Sequence, residues 1–335
     1  MNKPPTIRDV AELSGLSINT ISRVVNGKAH VSPKARAKAL QAIQELGYRT
    51  NPVARSLRLG RDQTIGVVIA SIADPFFSEV GTAIEETARE RGYSAIISCT
   101  GEKEEEEEAI VLNLLNRQVA GLILAPTGAS ESYIREQFSR VPIVAIDRPT
   151  VGFECDTVVT DNEGGAQVAT NWLISHGHRR IAFVGGPHDK FTIANRLIGY
   201  KRALHDAGIP FDPTLVADHA VRPSEVALTV PALIEGEAPA TAIFSSNSKA
   251  SLGVVEALHG RGRTGVAMVG FDDFFTAASL TPPLTIVNQY PAQYGKEAVG
   301  LLLRRILGES DGEPERIVVP TSLVIRGSGE IRPVG

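Results

Sequence analysis

The sequence predicts a small all-α helix-turn-helix head followed by an α/β body of two doubly wound lobes. Three observations carry that prediction. Charge is split: residues 1–61 hold 11 Lys/Arg and three acids, net +8, whereas the remainder holds 23 bases against 35 acids, net −12. Apolar residues in the head recur at three- and four-residue spacing, with capping residues and glycines at the breaks. From Thr64 onward, short β-rich runs alternate with amphipathic stretches, the pattern of parallel sheets covered by helices on both faces. At 335 residues and 43% hydrophobic, the chain has room for two or three cored domains, and neither disorder nor low complexity fits.

Thr6 caps a first helix, with Asp9 reaching back three residues later, and Ile7, Val10 and Ala11 form its apolar face. Gly15 makes the turn and Ser17 caps a second helix. On that helix Ile21, Val24 and Val25 point inward, which turns Asn19, Ser22, Arg23 and Asn26 outward. Ser32-Pro33 opens a third helix, whose Ala35, Ala39, Leu40, Ile43 and Leu46 are expected to close the core before Gly47 ends it.

Two short helices joined by a glycine turn and buttressed by a third form a helix-turn-helix, whose second helix enters the DNA major groove. The basic charge of the head fits a polyanion partner. Ile18, Asn19 and Arg23 are expected at base edges: Asn pairs with adenine, Arg with guanine, and Ile meets a thymine methyl. Thr6, Ser17, Thr20, Ser22, Asn26 and Lys34 are expected to position the module on phosphates.

Thr6-Ile7-Arg8-Asp9-Val10-Ala11, Gly15-Leu16-Ser17, Thr20-Ile21-Ser22-Arg23-Val24-Val25-Asn26-Gly27 and Leu46-Gly47-Tyr48 resemble the lactose/galactose-repressor family of bacterial transcriptional regulators. The resemblance runs through almost the whole chain. It implies a DNA-binding head, a hinge helix, and a body like the periplasmic sugar-binding proteins, with two lobes, three crossovers and a ligand in the cleft. The expected divisions are residues 1–49 for the head, 50–61 for the hinge and 62–335 for the effector-binding and dimerisation body. Within the body, one lobe takes 62–161 plus 290–322 and the other 162–289 plus 323–330.

Asn51 to Arg58 reads as one short helix, capped by Asn51, with Pro52 in its first turn and Gly60 stopping it. About two turns are too few for a stable isolated helix in water. The resemblance places Leu57 as a minor-groove wedge between base pairs, with Ala54, Arg55 and Arg58 as groove and phosphate neighbours.

In the body, strands are expected at Thr64–Ala70, Tyr93–Ser98, Gly121–Ala125, Pro142–Ile146, Arg180–Val184, Thr241–Ser245 and Val266–Gly270, with a further run at Leu284–Val287. Helical stretches are Phe76–Arg91, Glu104–Arg117, Gly164–His176, Thr192–Ala207 and Lys249–His259, with Asp161 reading as a cap. Ligands of such folds bind at the carboxyl ends of the strands. The side chains found there are Asp74-Pro75-Phe76-Phe77, Asp147-Arg148, Asp189 to Arg196, Asn247, Asp272-Asp273 and Gln289. Aromatic faces with carboxylates, an amide and an arginine suit a polyhydroxylated or planar polar ligand. By the resemblance, Phe76 and Phe77 wall the pocket, Arg196, Asn247 and Asp272 hydrogen-bond the effector, and Asp147 and Gln289 add contacts. The chain departs from the family pattern at Ser248, where an Asp is usual, and at Val221, where an aromatic often stacks on a sugar. Lys190, Arg196 and Arg148 would tolerate an anionic effector, which weakens the expectation of a neutral sugar without replacing it.

Other signals are set aside. Gly260-Arg261-Gly262-Arg263-Thr264-Gly265 matches GxGxxG but follows a helix and precedes a strand, the reverse of a dinucleotide site. The six acids around Lys103, from Glu102 to Glu108, read as a solvated face at a helix start. His176 and His178 flank Gly177 at a helix end and read as a structural turn. Cys99 and Cys155 are the only cysteines, so a disulfide framework or CxxC site is ruled out. No HExxH, GxSxG or Walker loop occurs, and the longest apolar stretch, Ile65 to Ala73, is far short of the ~20 residues of a membrane span. The expected function is a cytoplasmic, sequence-specific transcriptional regulator, most simply a repressor, with no catalytic residues, metal or cofactor. Its partners are a pseudo-palindromic double-stranded operator, a small molecule of the sugar class, and a second copy of itself. The tail from Ile325 to Gly335 has no heptad, which predicts a dimer rather than a tetramer. The alternative is an α/β enzyme or a solute-binding protein without a DNA role.

Overall fold

The computed structural model of the protein describes residues 5–25, 31–48, 63–128, 133–134 and 141–333. Asn26 and the expected hinge residues Ala54, Arg55, Leu57 and Arg58 lie outside the described residues. The chain divides into two units, Met1–Asp62 and Gln63–Gly335.

The first unit is three helices: α1 (Ile7–Ser14), α2 (Ile18–Val25) and α3 (Pro33–Leu46). Gly15 and Gly47 end α1 and α3 in the left-handed conformation, at φ 64° and 61°, where a Cβ would be strained. Val10, Ala11, Ile21, Val24, Ala39 and Ala42 are buried together, with Ile7, Leu16, Ile43, Leu46 and Tyr48 packed around them. Leu40 does not join this core and is 53% exposed. The inward stripe of α3 runs through Ala35, Ala39, Ala42, Ile43 and Leu46. At 100° per residue Leu40 falls beside that stripe, and Ala42 takes the buried place instead.

The second unit holds two six-stranded sheets. In chain order its elements are β1 (Thr64–Ile69), α4 (Pro75–Glu90), β2 (Ser94–Cys99), α5 (Glu104–Asn116), β3 (Gly121–Leu124), β4 (Ile143–Ile146), β5 (Asp156–Thr160), α6 (Asn162–Ser175), β6 (Ile181–Val184), α7 (Phe191–Asp206) and β7 (Val216–Ala217). There follow α8 (Pro223–Ile234), β8 (Ala242–Ser245), α9 (Ser248–Gly260), β9 (Ala267–Phe271), β10 (Thr285–Asn288), α10 (Pro291–Leu307), β11 (Arg316–Val319) and β12 (Ser322–Val324). One sheet has the order β11-β5-β4-β3-β1-β2, the other β12-β10-β9-β8-β6-β7. The first is parallel throughout, and the second is parallel except where β12 runs against β10. The chain therefore passes between the sheets three times: after β5, after β10 and after β11.

The alternation of side chains builds a core on each face of each sheet. On β1, Ile65, Val67 and Ile69 pack toward α4 and α10, while Val68 faces the other side with Leu122 and Leu124 of β3 and Val111 and Leu114 of α5. The second sheet repeats the arrangement with two further buried clusters. Every expected strand is present, but the interior strand β5, the edge strands β7, β11 and β12 and the helices α8 and α10 were not marked by sequence pattern; β5 is buried throughout, yet Asp156, Thr157 and Thr160 leave it no apolar run. The GxGxxG stretch lies between the end of α9 at Gly260 and the start of β9 at Ala267, a helix-to-strand connection.

Close packing of α6 on α7 has one special position. A Cβ on Gly199 would collide with the Glu163 carbonyl, so glycine lets the two helix backbones approach. That approach matters for the site, because Arg196 lies one turn before Gly199 on α7 and Asn162 opens α6.

Candidate functional site

The head presents one polar face. Its α1 start is satisfied by Thr6, whose backbone N–H donates to Asp9 Oδ2 at 2.6 Å and whose hydroxyl donates to the same oxygen at 2.8 Å. Ser17 accepts the Thr20 backbone N–H at 3.2 Å, and the two hydroxyls lie 2.9 Å apart. Opposite the buried Ile21 and Val24, the side chains of Ile18, Asn19 and Arg23 are exposed, Thr20 and Ser22 half-buried. An exposed isoleucine beside an arginine and an asparagine is a surface with apolar and hydrogen-bonding edges on one short helix. Lys34 is exposed in the first turn of α3.

In the body, a cavity of about 310 Å³ opens among the loops that follow the strands of both sheets. It gathers all nine residues proposed from the sequence: Phe76, Phe77, Asp147, Arg148, Lys190, Arg196, Asn247, Asp272 and Gln289. Asp74, Glu102, Thr192, Val221 and Lys249 also line it.

Each is held by local structure. Asp74 caps α4, its Oδ1 accepting the Phe76 N–H at 3.2 Å, and Pro75 occupies the first turn. This turn seats Phe76 edge-on to Phe77 and to Tyr294, with ring centres 5.2 and 5.6 Å apart. Asn247 caps α9, its Oδ1 accepting the Ala250 N–H at 2.8 Å, which leaves its amide nitrogen for a ligand. Arg196 is almost wholly buried: its Nε donates to Asn162 Oδ1 at 2.8 Å, its Nη1 to the Ser246 carbonyl at 2.5 Å, and its guanidinium lies 3.7 Å over the Phe271 ring. Nη1 also stands 3.9 Å from Asp272, which accepts a hydrogen bond from Gln289.

The electrostatics balance. Four carboxylates (Asp74, Glu102, Asp147, Asp272) and four cations (Arg148, Lys190, Arg196, Lys249) line the cavity, and they pair. Arg148 donates to both oxygens of Glu102 at 3.1 and 3.2 Å and lies 2.8 Å from Asp147. Lys190 lies 3.2 Å from Glu102, and Lys249 is 3.5 Å from Asp74. Burial works against the Arg148 charge, but Asp147 and Glu102 outweigh it and raise its pKa. Burial likewise opposes the Glu102 charge, but Arg148 and Lys190 hold that carboxyl below its usual range. Asp272 goes the other way: burial pushes it up to about 6, against the pull of Arg196 and Gln289.

Polar contacts also bridge the two sides of the cleft. Ser248 donates to Asp74 at 3.1 Å, and Lys190 donates to the Thr127 carbonyl at 3.0 Å. Ser248, the first residue of α9, thus joins the cap of α4 in the opposite lobe.

Sequence reasoning missed Glu102, and the acidic run is not uniformly solvated. Glu102 has a left-handed backbone, φ 64°, in the loop before α5, which turns its side chain to the cleft rather than along the helix. Glu107 is fully buried, accepting from the Thr127 N–H and the Tyr133 hydroxyl at 2.6 Å each, and burial raises its pKa despite both bonds. A count of charges carries no signal of either; only the positions of the loops do. His178 behaves as expected of a structural residue, buried between Thr241 and the Ile331 carbonyl at 2.9 and 2.7 Å. Among the described residues no group of His, Cys, Asp and Glu is placed to hold a metal, and no helix is long and apolar enough to cross a membrane.

The head and the body each match a family model. Residues 6–51 match the bacterial regulatory proteins of the lacI family, and residues 62–326 match the periplasmic binding proteins and sugar binding domain of the LacI family. The chain belongs to the LacI family. It is 34% identical to the HTH-type transcriptional regulator CelR of Thermobifida fusca, over 97% of this chain and 98% of that one. It is 32% identical to the ribose operon repressor of Escherichia coli K12, over 96% and 99% of the two chains. Among solved structures, the Lac repressor bound to ONPG in its repressed state superposes with a TM-score of 0.85 at 31% identity, covering 97% of this chain and 100% of that one. A complex of CelR with cellobiose matches at 0.72 and 32% identity, covering 97% and 99%. LacI-family architecture accounts for both the helical head and the pair of parallel sheets.

Proposed function

We propose that this LacI-family chain is a transcriptional repressor whose operator affinity is set by a neutral, polyhydroxylated small molecule held in the cleft. The observation that carries this reading is the cavity itself. Aromatic walls, an amide, and buried donors and acceptors converge there, and its eight charged groups cancel. A site of that kind exchanges hydrogen bonds with hydroxyl groups and offers no excess charge to an anion. The cellobiose complex of CelR, a relative over nearly the whole chain, supports the ligand class.

In the proposed division, residues 1–49 read DNA, 50–61 are the hinge, and 62–335 bind effector and dimerise. Ile18, Asn19 and Arg23 contact bases, while Thr6, Ser17, Thr20, Ser22, Asn26 and Lys34 contact phosphates. Leu57 wedges the minor groove with Ala54, Arg55 and Arg58 beside it. The protein works in the cytoplasm as a homodimer, as the Lac repressor does on its operator, and catalyses no reaction. Effector changes the relation of the two lobes, and that change reaches the DNA through the paired hinges.

The test begins with selection of a binding site from random duplex DNA, followed by anisotropy titrations with and without a panel of neutral sugars. One sugar should change operator affinity by about tenfold or more, and Arg196→Ala should abolish that response while leaving operator binding intact. Failure to enrich any duplex, or a sugar response that survives Arg196→Ala unchanged, would overturn the reading.

A further inference from the structure

We propose that Glu102 is the charge-selectivity residue of the cleft: by occupying Lys190 and Arg148 it keeps phosphate monoesters and other anions out and reserves the site for neutral ligands. This rests on the cleft being the effector site.

Arg148 has two carboxylates, Asp147 at 2.8 Å and Glu102 at 3.1 Å, so losing one leaves it paired. Lys190 has only Glu102 among the described carboxylates, at 3.2 Å; its other partner is the neutral Thr127 carbonyl at 3.0 Å. That carbonyl is held in place because the Thr127 N–H is bound by the buried Glu107. Lys190 is therefore a positioned cation whose charge is cancelled by a single side chain. Without the Glu102 charge, Lys190 and the outer edge of Arg148 would form a two-cation pocket at the cleft wall, the arrangement that recognises phosphate.

The placement of Glu102 is itself held. Its backbone is left-handed, after a left-handed Gly101, and its N–H donates to Thr100 Oγ1 at 3.2 Å. A non-glycine residue keeps that conformation when its surroundings over-determine it. The five acids that follow lie on α5, and none of them is ion-paired to Lys190 or Arg148.

Calorimetry of the full-length chain with inorganic phosphate at near-neutral pH tests the proposal. Wild type should show no binding in the millimolar range. Glu102→Gln, with Glu102→Ala as a second variant should the first melt early, should bind phosphate at least about tenfold more tightly. The gain should disappear in Glu102→Gln/Lys190→Met. Glu105→Gln, on the exposed start of α5, makes the same change in net charge and should gain nothing. Equal phosphate binding by wild type and both Glu102 variants would overturn the assignment, as would an equal gain in Glu105→Gln. Failure of the underlying reading has a different signature: a neutral sugar that binds wild type and Arg196→Ala alike.

Discussion

Asp147 and Asp272 occupy matching places in the two lobes. The sheets share one strand order, and in it β4 corresponds to β9; Asp147 follows the first and Asp272 the second. Both are left-handed, at φ 69° and 75°, and each donates its N–H to the neighbouring strand, Asp147 to the Val158 carbonyl at 3.1 Å and Asp272 to the Val287 carbonyl at 3.0 Å. The same turn thus delivers one buried carboxylate to the cleft from each side. Their environments then separate them. Asp147 is paired directly with Arg148, while Asp272 faces Arg196 at 3.9 Å and is raised first by burial and, further down, by the charge of Asp147.

That difference predicts a pH dependence. The folded pKa of Asp272, about 6, lies above its ordinary value of 3.8, so the native state keeps the proton longer than the unfolded chain. Ionising it costs stability: the cost is absent below the ordinary value, grows as pH rises toward 6, and is complete above it. Asp272→Asn should escape the cost. Melting curves of the two proteins should diverge in favour of the variant between pH of about 4 and about 7, by roughly 1–3 kcal/mol. A constant gap across that range would mean that Asp272 titrates normally.

Gly199→Ala should push α6 and α7 apart, because the added methyl meets the Glu163 carbonyl. We expect a loss of about 1–3 kcal/mol in urea unfolding, as overpacking of an interior costs. The same displacement pulls Arg196 from Asn162, so effector affinity should fall while operator binding in the absence of effector is retained. Unchanged effector affinity in a destabilised variant would show that Arg196 is positioned without that helix contact.

On the head, Arg23→Ala should weaken cognate-site binding by about 1–3 kcal/mol and relax preference at one base pair per half-site. Lys34→Ala should weaken binding to every sequence alike and flatten the salt dependence. Titrations on operator and on scrambled duplex separate the two. Equal losses on both duplexes for Arg23→Ala would remove it from the base-reading set.

Local chemistry made the head legible in one dimension. Thr6 with Asp9, Gly15, Ser17, Ser32-Pro33 and Gly47 are capping and turn signals that act over three or four residues, so they can be read without knowing the fold. The nine cleft residues were legible for a related reason: each follows an interior strand of continuous apolar residues, and in parallel sheets the strand ends converge. Leu40 is apolar, but its angular position sets it beside the narrow buried stripe of α3, so apolar character alone does not place it in the core. The edge strand β11 mixes exposed, half-exposed and buried positions, and β12 is half-buried at all three of its residues, so neither carries the long buried apolar run of the central strands. Glu102, Glu107 and the exact pairing of cations were beyond reach of the sequence. Charge neutralisation depends on distances of 3–4 Å between residues such as Arg148 and Glu102, which are 46 positions apart and meet only once β2 and β4 lie in one sheet. The sequence by itself determined that the side chains following the interior strands enter the cleft, since strand ends are a local property. Tertiary structure alone decided which of them remain charged toward a ligand, since Coulomb interactions follow separation in space and not separation along the chain.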